Sequence, residues 1–161
     1  MSLPRREHRK GFKARKSPIG RSPLPESRGY GMRRGGYRSL STRKGLKDEL
    51  DRVTSLLVRA RDQRCVTCGT TEDLTCSHYF KRSFLATRWN LTNCNAQCAA
   101  HNELHNRVPW PYREYMVRLI GKEGLDELFK LRNSVWRPSD DELRALLDEY
   151  RRRLREMRRA A

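Results

Sequence analysis

Cys65-Val66-Thr67-Cys68-Gly69 and Cys98-Ala99-Ala100-His101-Asn102 are the stretches whose reading decides how this chain folds. Each holds two soft or borderline donors with two residues between them, and residues 69–97 separate the pairs. Three thiolates and one imidazole at that spacing suit one tetrahedral zinc, which makes Cys65, Cys68, Cys98 and His101 candidate structural ligands. His78 lies between the pairs and His105 just after them; outside the N-terminal segment no other histidine exists.

Between the pairs, Gly69-Thr70-Thr71 reads as a turn, and Leu74 to Phe80 is short, β-branched and aromatic enough for a strand. Arg88 to Asn93 leads into a second short strand or loop, and Cys98 to about Arg107 reads as a helix that Pro109 stops. The expected unit is a hairpin followed by a helix, with the last two zinc ligands where the helix starts. On that helix Asn102 points about a quarter turn away from His101, and His105 and Asn106 lie three and four residues beyond Asn102. One element therefore presents a structural ligand on one side and a polar trio on another. Cys76 and Cys94 read as small buried hydrophobes. If either ligated zinc instead, His101 would be free to join His105 as a metal pair on the helix.

Farther out, Leu46, Leu50, Val53, Leu57 and Ala60 recur at helical spacing within residues 46–62. Leu143, Leu147, Tyr150, Leu154 and Met157 repeat the rhythm after Pro138, where Ser139 and Glu142 have the spacing of a capping box. The two stripes could pack on each other or on a second copy, so a homodimer is one option. Pro111 suits the first turn of a helix carrying Tyr112, Tyr115, Met116 and Leu119, which Gly121 ends before a short helix through Leu125, Leu128, Phe129 and Arg132. Trp136 reads as a core anchor in a connector. The expected architecture is α+β: a helix at 46–62, a zinc-bound core at 65–107 and a helical extension at 111–159, forming one domain over 46–161.

Composition constrains the partners. The chain has 161 residues, 36% of them hydrophobic, and a mean hydropathy of −0.94, so its core must be small and a metal staple is expected. A formal charge of +17 calls for an anionic partner. Nucleic acid fits better than membrane, because no long apolar run is present. Residues 1–45 hold fourteen lysines and arginines against Glu7 and Glu26, among many prolines and glycines. That segment reads as a disordered basic tail that contacts DNA phosphates without reading sequence. It has no apolar stretch of the secretory kind. Five cysteines, two of them at x2 spacing, then argue for reduced thiols holding metal in a cytoplasm rather than for disulfides.

Several runs together carry a resemblance. These are Cys65-x2-Cys68-Gly69, Ser77-His78-Tyr79, Arg88-Trp89-Asn90 through Asn93, Gln97-Cys98, Asn102, Val108 to Pro111-Tyr112-Arg113, and Leu119 to Glu123. In them the chain resembles the NinG (Rap) family of recombination endonucleases of lambdoid phages, over roughly Leu46 to Asn133. The resemblance implies an HNH-like core, of ββα-metal or treble-clef type, in an enzyme that cuts branched recombination intermediates such as Holliday junctions and D-loops in the cytoplasm of the bacterial host. It implies His78 as general base, Asn93 as the residue that orients the loop, Asn102 as a ligand of a catalytic Mg2+ or Mn2+, and products with 5′-phosphate and 3′-hydroxyl ends. Lys81, Arg82 and Arg88 would grip the flanking phosphates. The chain departs from the family pattern at His101, where a cysteine is usual and zinc accepts either. It departs from many HNH enzymes at Ser77, a position where they carry a second metal ligand; either His105 replaces it, or His78 itself binds the cation and leaves another group as base. A zinc finger that binds nucleic acid without cutting it is the alternative, with His78, Asn102 and His105 merely satisfying hydrogen bonds.

Overall fold

The computed structural model describes residues 40–160. Most of the basic segment, with the disorder and DNA contact expected of it, lies outside them. The elements in chain order are α1 (Arg43–Asp62), β1 (Leu74–His78), α2 (Leu85–Arg88), β2 (Cys94–Cys98), α3 (Ala99–His105), α4 (Trp110–Asn133) and α5 (Asp140–Ala160). The result is a helix-rich α+β fold around a two-stranded sheet.

Helix α1 starts at Arg43, inside the segment assigned to the tail, because the Thr42 hydroxyl accepts the Gly45 amide at 3.1 Å and caps the helix there. Its apolar stripe of Leu46, Leu50, Val53 and Leu57 is buried against Leu143, Leu147, Tyr150 and Leu154 of α5. The two stripes thus cover each other within one chain, and a dimer would need a different surface. The capping box forms as expected: the Ser139 amide donates to Glu142 at 2.6 Å, and the Glu142 amide to the Ser139 hydroxyl at 3.2 Å. Trp136 is half-buried on this core, edge-on to Trp89.

Of the strand or loop left open after Asn93, the structure forms the strand. Arg88 closes α2, and residues 89–93 lead by turns into the strand Cys94-Asn95-Ala96-Gln97-Cys98, antiparallel to β1, with Leu74 opposite Cys98 and His78 opposite Cys94. All five residues of β2 are buried. Asn and Gln are poor strand signals because their amides need partners when buried. Here the partners come from elsewhere: Asn95 donates to the Tyr112 hydroxyl at 3.1 Å and accepts from Arg61, and Gln97 donates to the Thr67 hydroxyl at 2.7 Å.

In α4, Pro111 occupies the first turn, and Gly121, at φ 72 and ψ 178, breaks the helix into two pieces where the sequence reading ended it. That backbone conformation suits glycine because it lacks a Cβ. The second piece lays the Arg132 guanidinium 4.2 Å from the Phe84 ring centroid and 5.2 Å from that of Phe80, fixing the loop after β1.

Candidate metal centre and adjoining cleft

The turn after α1 is built to collect sulfur. The Cys65 amide donates to the Thr70 carbonyl, the Gly69 amide to the Cys65 carbonyl, and Gly69 takes φ 78, so the chain folds sharply back under Cys65 and Cys68. Cys98 caps α3 and His101 stands one turn into it. Donor atoms of Cys65, Cys68, Cys98 and His101 all lie within 4.8 Å of one another. Cys68 Sγ is 4.0 Å from Cys98 Sγ, and Cys98 Sγ is 3.1 Å from His101 Nδ1. Zinc–thiolate bonds of about 2.3 Å at tetrahedral angles put sulfurs about 3.8 Å apart, close to the Cys68–Cys98 separation, and the donor set suits zinc. Burial opposes ionisation of Cys65, but the backbone amides of Cys68, Cys98 and Thr67 turn toward its sulfur and bring its pKa down to about 7, readying a thiolate for a metal.

Along β1 and α3, a cleft of about 260 Å³ is lined by Cys76, His78, Lys81, Arg82, Asn102, His105 and Asn106. It brings together five of the candidate catalytic and DNA-binding residues, namely His78, Lys81, Arg82, Asn102 and His105. His78, at the end of β1, places Nε2 2.9 Å from the Arg88 carbonyl oxygen. A carbonyl can only accept, so the neutral ring carries its proton on Nε2 and keeps a lone pair on Nδ1. His105 repeats the arrangement, with Nε2 3.2 Å from the Tyr79 carbonyl and a buried Nδ1 that has no partner among the described residues. Burial is the main cause that holds both imidazoles below their ordinary pKa, while the carbonyl contacts pull the other way. The His105 ring is further enclosed by Tyr112, edge-on at 4.8 Å, and by Tyr79. Asn102 donates to the Thr75 hydroxyl at 3.1 Å.

Asn93 is fully buried and spans the loop: its oxygen accepts from the Phe80 amide at 2.8 Å, and its nitrogen donates to the Phe80 and Thr87 carbonyls, each at 3.0 Å. It clamps the segment that carries Lys81 and Arg82. Both cations border the cleft, and among the described residues no carboxylate lines it. The Mg2+ or Mn2+ expected there would find amides, imidazoles and a thiol instead of the carboxylate oxygens such hard ions favour, so the residues present do not fit it.

A family model described as Bacteriophage Lambda NinG protein matches residues 32–160. The chain belongs to the NinG family. Protein ninG of Escherichia phage lambda is 31% identical over 105 residues, covering 62% of this chain and 50% of the relative. Protein ninG of Escherichia phage 933W and that of Enterobacteria phage VT2-Sa are each 30% identical over 105 residues, covering 62% of this chain and 51% of the relative. The chain therefore spans about half the length of these curated NinG relatives. No solved structure matches it.

Two features of this NinG-family chain escaped its sequence. Arg88, expected to face a phosphate, instead forks onto Asp51 at 2.9 and 2.6 Å, and the Trp89 indole N–H donates to the same carboxylate at 2.7 Å. Asp51 is thus the anchor that fixes the carbonyl holding His78. It sits on the face of α1 beside the apolar stripe, where an aspartate reads as solvated. Asp62 likewise accepts the Ala96 amide at 2.7 Å and pins the sheet to the end of α1. No local pattern marks either residue.

Proposed function

We propose that this protein is a zinc-scaffolded endodeoxyribonuclease with an HNH-like hairpin-and-helix core, acting on branched recombination intermediates in phage-infected cells, with the cleft as its active site and the side chains of Lys81 and Arg82, rather than Mg2+ or Mn2+, facing the phosphodiester. One observation carries the reading. His78 is anchored through Nε2 to a backbone carbonyl, which leaves a lone pair on Nδ1, and it shares a cleft with Lys81 and Arg82. A neutral imidazole beside exposed cations can accept a proton from water while the cations hold the phosphodiester, an arrangement worth typically about 100- to 10,000-fold in rate. Asn93 keeps the Lys81–Arg82 loop at a fixed distance from the base, and Asn102 and His105 form the opposite wall. Arg88 positions His78 through its carbonyl and does not contact substrate. The zinc quartet, with its ion bound, locks α3 against the sheet so that the two walls face each other.

The alternative, a zinc-supported nucleic-acid binder without catalysis, has one feature in its favour: His78 Nε2, His105 Nε2 and Asn102 Nδ2 each already hold an internal partner. A nicking assay on a four-way junction, a D-loop and linear duplex separates the two, run without added divalent ion, with Mg2+ and with Mn2+. His78→Ala is expected to keep the circular dichroism spectrum and the DNA affinity while lowering nicking by about 100-fold or more. Equal cleavage by wild type and variant sinks the assignment.

A further inference from the structure

The sheet assembles a second set of donors that shares no residue with the zinc quartet. Alternation along β1 puts Cys76 and His78 on one face. The strand register then sets Cys94 directly across from His78. One ligand atom from each of the three lies within 4.8 Å of the others. Cys94 is buried and Cys76 and His78 are half-buried; the latter two line the cleft, which gives an ion a way in.

We propose that Cys76, His78 and Cys94 form a second metal site for a thiophilic cation such as Zn2+, and that filling it silences His78 as a base. Two thiolates and one imidazole are a donor set that zinc accepts with its fourth position left to water. Hard ions are discriminated against by the sulfur donors. Binding releases the two thiol protons to solvent, so the ion's two positive charges are balanced by two thiolates and the site carries no net charge. The silencing follows from the valence of imidazole. A neutral ring has one lone pair available in its plane; if a metal takes it at either nitrogen, the other nitrogen bears the proton and nothing remains to accept one from water. Ion binding here rests on the donor geometry alone, whereas the silencing rests on the base role assigned to His78 above.

The test uses the full-length, reduced, metal-free protein titrated with Co2+, whose thiolate charge-transfer and d–d absorption bands report tetrahedral sulfur ligation. Wild type is expected to saturate in two steps, and Cys76→Ser and Cys94→Ala in one, with unchanged circular dichroism. A single step in wild type, or two in both variants, overturns the site. A second measurement needs no variant: Cys76 should be protected from alkylation, read by peptide mass mapping, by the second equivalent of Zn2+ and not by the first. Alkylation of Cys76 at the same rate with two equivalents as with one also overturns the site. Junction cleavage should fall at least tenfold on adding the second equivalent, and protection of Cys76 without that fall refutes the silencing. Absence of cleavage by the singly loaded protein would instead count against the proposed function, leaving the titration to decide the site.

Discussion

Replacing Asp51 with Asn tests whether the geometry of His78 is imposed from α1. The carboxylate accepts a two-pronged bond from Arg88 and a third from the Trp89 indole, and the Arg88 and Asp51 side chains are 23% and 21% exposed. Fully exposed ion pairs contribute about 0.2–1 kcal/mol, and truncating one member of a fully buried pair costs about 3–5 kcal/mol. At one-fifth exposure the expected cost of Asp51→Asn lies between, about 2 kcal/mol, since the amide still offers an oxygen to Trp89 but leaves the guanidinium uncompensated. For a domain of this size that is a fall in Tm of about 6–10 °C. A thermodynamic cycle with Arg88→Met and the double variant should give a coupling energy of about 1–2 kcal/mol at pH 7. NMR of the imidazole nitrogens should show the Nε2–H form of His78 in wild type and a weaker preference for it in Asp51→Asn. A Tm within about 2 °C of wild type, or a coupling inside the additivity error of about 0.5 kcal/mol, would refute the reasoning.

Zinc removal by a strong chelator should dissolve the packing of the sheet against α3, because a structural zinc contributes on the order of 10 kcal/mol to a small fold. Disappearance of the near-ultraviolet signal of Tyr79 and Tyr112 checks this, and an unchanged spectrum in metal-free protein argues against a structural ion. Acid should weaken the fold through the buried imidazoles. With His78 and His105 held below their ordinary pKa, the unfolded chain binds more protons than the native one once the pH drops under about 6.5. Their contribution is therefore complete above that pH and is lost as pH falls through the native values. His105→Gln, which keeps a donor for the Tyr79 carbonyl but cannot titrate, should flatten the slope of stability against pH below about 6.5, and a slope as steep as in wild type excludes His105 as a source. Deleting residues 1–40 should lower DNA affinity and reduce the log–log salt slope by about 0.9 for each phosphate that the segment neutralises. A slope that stays the same would show that the segment does not touch DNA.

The parts of the protein legible in its sequence are those that short-range rules dictate. Cys65, Cys68, Cys98 and His101 declare themselves as a candidate quartet because a site for an ion such as zinc fixes the number and type of its donors, and x2 spacing is what a tight turn or a helix start can bring together. The helical stripes of α1 and α5, the Ser139 cap and the Gly121 break are equally local, set by a period of 3.6 or by one residue's allowed backbone angles. Tertiary structure alone decided that Asp51 claims Arg88 from 37 positions away, and that the polar run Cys94–Cys98 is a buried strand. It also set Cys94 across from His78, in a register that no composition reveals. A buried amide or ion pair is stable only when its partner arrives from a distant segment, and the energy that selects it exists only once the chain is folded.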